Sequence, residues 1–163
     1  MKKAEKTERT KERILQAAME EFGRKGYAAA TIGAICSEHG IAKGLLYHNF
    51  VGKDDLYLAC VSRCFDDVTA YLQGQNLGAD LHRYMEYRFR YFSDHPLCAG
   101  LFFEAVLQPP AALVSAIRER KRAFDQLNQR IYREALSAMK LRREVTEAEA
   151  LEYYAIMQEM FNG

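Results

Sequence analysis

Apolar positions recur three or four residues apart through most of this chain, which is the period of an α-helix with one buried face. Between residues 10 and 25 the recurring positions are Ile14, Ala17, Ala18, Glu21 and Phe22, all apolar except Glu21. Gly26 follows, and glycine readily takes the left-handed turn at a helix end. An alternating pattern long enough for a β-strand does not occur, so the sequence predicts an all-α fold.

The same period predicts further helices along the rest of the chain. They cover about 52–74, 80–94, 96–107 and 111–141, with a last helix after the TEAE motif at 146–149. His95-Pro96 and Pro109-Pro110 separate three of them, because the residue before a proline avoids the helical region. TEAE has the form of a capping box. We therefore expect two domains, 1–53 with three helices and 54–163 with about five.

Residues 31–53 divide into two short helices joined by a tight bend. Thr31 is suited to be an N-cap, and Ile32 and Ile35 follow at helical spacing. Gly40 provides the bend, and a second helix runs from about Ala42. Two short helices joined in this way form a helix-turn-helix, whose second helix fits the major groove of DNA.

The stretch GYAAATIGAICSEHGIAKGLLYHNFVGKDDLYLA, residues 26–59, resembles the DNA-binding domain of the TetR family of bacterial transcriptional repressors. The resemblance covers about residues 10–60 and is carried by Gly26-Tyr27, Thr31-Ile32, Ile35, Gly40, Lys43-Gly44, Leu46-Tyr47, Phe50 and 53–56. Leu45 and Asn49 depart from the family pattern, which bears on the operator sequence and not on the fold. The resemblance implies a homodimer on a palindromic operator, a helical domain for effector binding and dimerisation, and release by a small molecule.

Eight residues are the candidates for DNA contact, by chemistry and by the resemblance. A lysine at the helix start donates to guanine or phosphate, a glycine allows close backbone approach, and a leucine meets only an apolar group such as the thymine methyl. Tyrosine and histidine donate to phosphate oxygens, and the flanking threonine and lysine lie near the DNA backbone. These candidates are Thr31, Lys43, Gly44, Leu45, Tyr47, His48, Asn49 and Lys53. A second possibility is that His48 and Asn49 only cap the short helix.

A dense supply of aromatic residues in the C-terminal part suggests a pocket for an apolar or aromatic effector. The candidates are Tyr84, Tyr87, Arg88, Tyr91, Phe102, Phe103, Glu104 and Phe124. Aromatic residues at helical spacing are more often plain core, so this alternative stays open. The long helix at 52–74 begins directly after the helix-turn-helix at 31–53. It is therefore expected to link the helix-turn-helix to the effector domain.

Charge and cysteine content narrow the functional class further. Residues 1–53 hold ten Lys and Arg against six Asp and Glu, whereas 54–163 hold thirteen against sixteen. The positive end is the end with the helix-turn-helix, as binding to phosphates requires.

The cysteines Cys36, Cys60, Cys64 and Cys98 form no metal-ligand motif and are expected to be buried thiols. With no apolar signal segment or membrane span in the sequence, we expect a cytoplasmic protein.

Two rival classes are weaker. The sequence contains none of the common hydrolase, metalloprotease, P-loop or dinucleotide-binding motifs, so no catalytic residue, cofactor or metal is predicted. A helical structural or adaptor protein would not need the constellation at 31–53, and absent or salt-insensitive DNA binding would favour it. An activator and a repressor would use the same DNA-contacting helix, so the sequence leaves both possibilities open. The resemblance implies two dimerisation helices at the C-terminal end, and the sequence has room only for the first, so we expect either a short member of the family or a truncated sequence.

Overall fold

The computed structural model describes residues 3–139 and 144–161, and within them all regular structure is helical, as expected. The helices are α1 (Lys3–Ala29), α2 (Ile32–Glu38), α3 (Lys43–Asn49), α4 (Lys53–Gln73), α5 (Leu81–Asp94), α6 (Pro96–Leu107), α7 (Val114–Arg120), α8 (Arg122–Ser137) and α9 (Glu147–Phe161). A short 3₁₀ helix, Ala111–Leu113, precedes α7.

The first helix is longer than the sequence pattern indicates. It begins at Lys3 and so extends the helix predicted at 10–25 towards the N-terminus, where the Thr10 hydroxyl donates to the Lys6 carbonyl at 2.9 Å. At its other end α1 is interrupted at Gly26, where φ is 73° and ψ is 171°. One further turn, closed by a hydrogen bond from Ala30 N to Gly26 O, then leads towards α2.

The predicted helix-turn-helix is confirmed in its geometry. Thr31 caps α2, because its hydroxyl accepts a hydrogen bond from Ala34 N at 3.0 Å. Gly40 takes the left-handed conformation, with φ of 61°, and turns the chain into α3. Side chains buried between α1, α2 and α3 hold the three helices together; among them are Ile14, Ala18, Phe22, Ile35 and Leu46.

Glu21 breaks the apolar stripe of α1 but is nevertheless buried. Its carboxylate accepts from Lys25 Nζ at 3.0 Å and from the backbone N of Thr31 at 3.4 Å. A buried carboxylate needs such partners to offset the loss of water. Glu21 thereby ties the end of α1 to the start of α2.

The helix α4 runs unbroken from the head of the molecule, which is formed by α1, α2 and α3, into the C-terminal helices. It packs on α1 and on α5, α6, α7 and α8, and its buried side includes Leu56, Tyr57, Val61, Phe65 and Leu72. This agrees with the expected long helix at 52–74. The division of the chain into domains 1–53 and 54–163 stays a prediction.

The single helix expected at 111–141 is wrong. The structure breaks it at Lys121, where φ is −86° and ψ is 0°, into α7 and α8. Ile117 and Phe124, seven residues apart, are both buried, so the apolar period continues across the break and does not reveal it. The C-terminal end of the expected helix, residues 140–141, lies outside the described part of the chain.

The last helix begins with the predicted capping box. Glu149 Oε2 accepts from Thr146 N at 2.8 Å, and Thr146 Oγ1 accepts from Glu149 N at 3.2 Å. Among the described helices none is by itself long and apolar enough to cross a membrane. Only α6 taken together with residues 111–120 would meet the requirement by length and composition, and that pair is bent by 84°.

Candidate nucleic-acid interface and effector cavity

The outward face of α3 carries the side chains proposed to contact DNA. Leu46 is fully buried and anchors the helix, whereas Leu45 is 40% and Tyr47 54% exposed. Lys43 and His48 are also exposed, and Gly44 has no atom within 4 Å of the place where a Cβ would lie. This face is therefore open along its length, as a helix entering the major groove requires.

Asn49 lies at the end of α3 and is half-buried. Its side-chain nitrogen donates to the carbonyl of Leu45 at 2.8 Å. This contact agrees with the alternative that Asn49 ends the helix. A contact of Asn49 with DNA stays a prediction.

Thr31 and Lys53 lie on the two sides of the reader, at the starts of α2 and α4. The Lys53 ammonium is 4.5 Å from the centroid of the Tyr27 ring and 3.4 Å from the carbonyl of Ala28. The Tyr27 hydroxyl donates to Asp54 Oδ1 at 2.5 Å, and this bond raises the pKa of Tyr27. The side chains at the start of α4 are thus ordered through Tyr27.

Nothing in the sequence indicated that Arg13 stabilises the bend of the helix-turn-helix. Arg13, on α1, donates from Nη2 to the carbonyl of His39 at 2.8 Å and to that of Gly40 at 3.3 Å. These are the carbonyls at the bend between α2 and α3. The basic character of α1 gave no indication of this use, because the contact joins residues 26 and 27 positions apart.

A cavity of about 430 Å³ lies among α6, α8 and α9. Phe102 and Phe124, two of the predicted effector residues, line it. Sequence reasoning missed the rest of the lining, which includes Val106, Asn128, Gln129, Tyr132, Arg133 and Leu151. Its volume falls in the range of about 300–1,000 Å³ that small-molecule sites occupy.

Asn128 is the most deeply buried polar residue of this cavity, at 4% exposure. Its carbonyl oxygen accepts a hydrogen bond from the hydroxyl of Tyr84. The wall also carries Gln129 and Arg133 beside its apolar residues, so it suits a ligand with an apolar body and a polar group.

The remaining predicted effector residues do not line this cavity. Tyr84 lies behind Asn128, and Tyr87 and Tyr91 pack on Tyr71 of α4, with ring centroids 6.4 and 5.0 Å away. For Tyr87 and Tyr91 the core interpretation describes the packing, whereas Tyr84 also lines a smaller hollow of about 210 Å³ beside α9.

Arg88 and Phe103 line a separate groove of about 370 Å³ between α5 and α6. The Arg88 guanidinium is buried, 5.5 Å from the ring centroid of Phe102 and 5.7 Å from that of Phe124. A guanidinium at these distances from ring faces gains cation–π stabilisation. Arg88 therefore packs in the wall that separates this groove from the cavity among α6, α8 and α9.

Glu104 faces α1 and not the cavity, which differs from the sequence prediction. Its Oε1 and Oε2 accept from the backbone N of Tyr27 at 2.9 and 3.1 Å, and Oε2 also accepts from the Tyr57 hydroxyl at 2.9 Å. Burial and this bond raise the pKa of Tyr57. The carboxylate thus joins α6 to the DNA-binding head.

The cysteines are all buried, as expected. Burial raises the pKa of the Cys60 thiol, which disfavours the reactive thiolate. In the part of the chain that the structure describes, no group of three or more His, Cys, Asp and Glu is placed to hold a metal ion.

Comparison with known sequences supports the N-terminal assignment. Residues 14–60 match the family model of bacterial regulatory proteins, tetR family. The HTH-type transcriptional regulator UidR of Escherichia coli K12 is 42% identical over 52 residues. That match covers 32% of this chain and only 26% of UidR, so it concerns the DNA-binding head alone.

Solved structures match over nearly the whole chain, but at low identity. A transcriptional regulator, FadR of Bacillus subtilis in complex with stearoyl-CoA, has a TM-score of 0.70 at 15% identity, covering 92% of this chain and 83% of its own. A tetR-family regulator from Streptomyces coelicolor has a TM-score of 0.66 at 25% identity, covering 95% and 69%. The arrangement of helices in these proteins is therefore that of this chain.

Proposed function

Since residues 14–60 belong to the TetR family of bacterial regulatory proteins, we propose that the chain is a ligand-responsive transcriptional regulator. It binds a palindromic operator as a homodimer, represses, and is released by a small apolar or aromatic effector. The observation that carries this proposal is the open outward face of α3 above the buried Leu46, with Lys43 at its start and Lys53 beside it.

Each candidate has a distinct part in the proposed contact. Lys43 and Leu45 are placed at the base edges, where an ammonium donates to guanine and an apolar side chain meets the thymine methyl. Gly44 permits the backbone to come close. Tyr47, His48, Thr31 and Lys53 contact phosphates, which hold the helix in register without reading sequence.

A second copy of the chain is the proposed partner of α9. Tyr153 is 65% and Ile156 47% exposed there, and Met157 is exposed as well. Apolar side chains at this density on one helix favour burial against another protein surface. The side chains of Met160 and Phe161 lie outside the described part of the chain. A dimer is also what places two readers on a palindrome.

The proposed effector occupies the cavity among α6, α8 and α9. It is mainly apolar, to suit Phe102, Phe124 and Leu151, and it carries an acceptor for the amide nitrogen of Asn128. An acyl carbonyl has this chemistry, and FadR of Bacillus subtilis, which shares the fold, was crystallised with stearoyl-CoA. The effector must bind one arrangement of the helices more tightly than another, because otherwise the operator affinity would not change.

The experiment that tests this function is selection of bound fragments from the genome, followed by titration of the selected duplex at several salt concentrations. The expected result is a palindromic motif and an affinity that falls steeply with salt. Recovery of no motif, with salt-insensitive or absent binding, would instead favour the helical adaptor. No catalytic role, cofactor or metal is proposed, and the cytoplasmic location stays a prediction.

A further inference from the structure

Two opposite faces of α6 contact the two functional parts of the protein. Phe102 and Val106 line the cavity, whereas Glu104, between them in sequence, points to α1. Residues two apart on a helix lie on different faces, so this division follows from the helical period. A displacement of α6 caused from the cavity side must therefore also move the Glu104 carboxylate.

The carboxylate of Glu104 satisfies a backbone group that the break in α1 leaves open. At Gly26 the helix is interrupted, so the N–H of Tyr27 has no acceptor in the preceding turn. Both oxygens of Glu104 accept from this N–H, at 2.9 and 3.1 Å. A hydrogen bond to a charged acceptor is about twice as strong as a neutral one.

Tyr27 in turn orders the start of α4. Its ring lies 4.5 Å below the Lys53 ammonium, and its hydroxyl donates to Asp54. Glu104 reaches α4 by a second route as well, through the hydroxyl of Tyr57. One side chain of α6 is therefore bonded to both α1 and α4, and its partner Tyr27 contacts Lys53, the proposed phosphate contact.

We propose that Glu104 is a positioning residue that transmits displacement of α6 to the DNA reader. The inference rests on the proposed function, because it assumes that the cavity holds an effector and that α3 reads DNA. Glu104 holds Tyr27, Lys53 and the start of α4 in the conformation that binds the operator. Occupation of the cavity shifts α6 and withdraws the carboxylate from Tyr27 N.

The test needs no identified effector, because a larger side chain at Val106 occupies the cavity in its place. Val106→Trp is combined with wild-type Glu104, with Glu104→Gln and with Glu104→Ala, and Val106→Phe serves if the tryptophan prevents folding. The probe is the duplex that the wild-type protein selects from random fragments, titrated by fluorescence anisotropy at fixed salt. Glu86→Gln is the matched control, since Glu86 is exposed on α5 and paired only with Arg90 in the described structure. Melting temperature and helical circular dichroism are recorded for every variant.

We expect Val106→Trp to weaken operator binding about tenfold when Glu104 is present and less than about twofold in the Glu104→Ala background. Glu104→Ala alone weakens binding about as much as Val106→Trp, Glu104→Gln weakens it less, and Glu86→Gln leaves it unchanged. A role in folding alone would lower the melting temperature but would not abolish the effect of Val106→Trp.

Equal effects of Val106→Trp in both backgrounds overturn the inference and leave the proposed function standing. The same holds if neither substitution at Val106 changes operator affinity in the wild-type background. If the wild-type protein selects no duplex, the proposed function itself fails. These results are distinguishable, because the wild-type titration is read before any variant.

Discussion

The Lys53 ammonium lies 4.5 Å from the centroid of the Tyr27 ring, at the start of α4 and four residues after the end of α3. The aromatic ring faces the cation and orders it without neutralising its charge. Lys53 is therefore held in place at the start of α4, and the proposed phosphate contact uses this ordered cation.

Lys53→Ala is accordingly expected to weaken operator binding nearly evenly across sequences. The proposed homodimer loses one phosphate contact in each half-site, so the slope of log affinity against log salt falls by about 2 in magnitude. The measurement is a titration at several salt concentrations with the selected duplex and with unrelated DNA. Arg90→Ala is the control, because Arg90 is an exposed cation on α5 outside the proposed interface.

Lys43→Ala is expected to weaken binding in a sequence-dependent way. A lysine at a base edge discriminates by about 1–3 kcal/mol against the wrong base, and its loss relaxes one position of the motif. Fragment selection repeated with the variant shows whether this position loses its preference. Unchanged affinity for both Lys43→Ala and Lys53→Ala in a salt-controlled titration refutes the assigned interface.

Gly44→Ala separates stability from DNA binding. The added methyl meets no atom within 4 Å, and alanine in a helix is more favourable than glycine by up to about 1 kcal/mol. The melting temperature should therefore rise. Operator affinity should fall, because the methyl keeps the backbone of α3 from the bases. A variant that is both more stable and unchanged in affinity would argue against close approach at Gly44.

Gly100→Ala is expected to act in the opposite direction on stability. A Cβ at Gly100 would lie 2.5 Å from the carbonyl oxygen of Gly23, and backbone cannot move aside as a side chain can. Overpacking of this kind costs about 1–3 kcal/mol. The measurement is the melting temperature of Gly100→Ala compared with that of Gly44→Ala, which adds the same methyl group at a position with no close neighbour. Equal melting temperatures for the two variants would contradict the close contact of α1 and α6.

Asn128→Leu is expected to destabilise the protein through its partner. The Tyr84 hydroxyl, buried and bonded to Asn128, would lose its acceptor, at a cost of about 1–3 kcal/mol. Tyr84→Phe in the same chain removes the stranded hydroxyl and should recover part of this loss. Denaturant unfolding of the four members of this double-mutant cycle gives the coupling. Additive effects would show that the two side chains do not depend on each other.

The DNA-binding head was predictable because its signals are local. The N-cap at Thr31, the left-handed glycine at Gly40 and the helical spacing of Ile35 and Leu46 each act within a few residues. The linking helix α4 was predictable for the same reason, since its apolar stripe is long and uninterrupted. The length of α1 was underestimated, because its first two turns carry no apolar stripe.

The effector site was predicted only in part, because its membership depends on tertiary packing. Phe102, Phe103 and Glu104 are adjacent in sequence, yet only Phe102 lines the cavity. Glu104 contacts Tyr27, 77 positions away, and no periodicity encodes such a pairing. Asn128 and Tyr132 were missed because isolated polar residues on α8 give no sign that a cavity opens beside them.

The close approach of Gly23 and Gly100 restricts which motions the protein can use. Where two backbones touch with no side chain between them, no rotamer change absorbs a push from either side. The two helices cannot come nearer to each other there, but they can turn about the point of contact. Relative motion of α1 and α6 at this contact is therefore limited to rotation, and any such rotation would displace residues far from the contact more than residues near it.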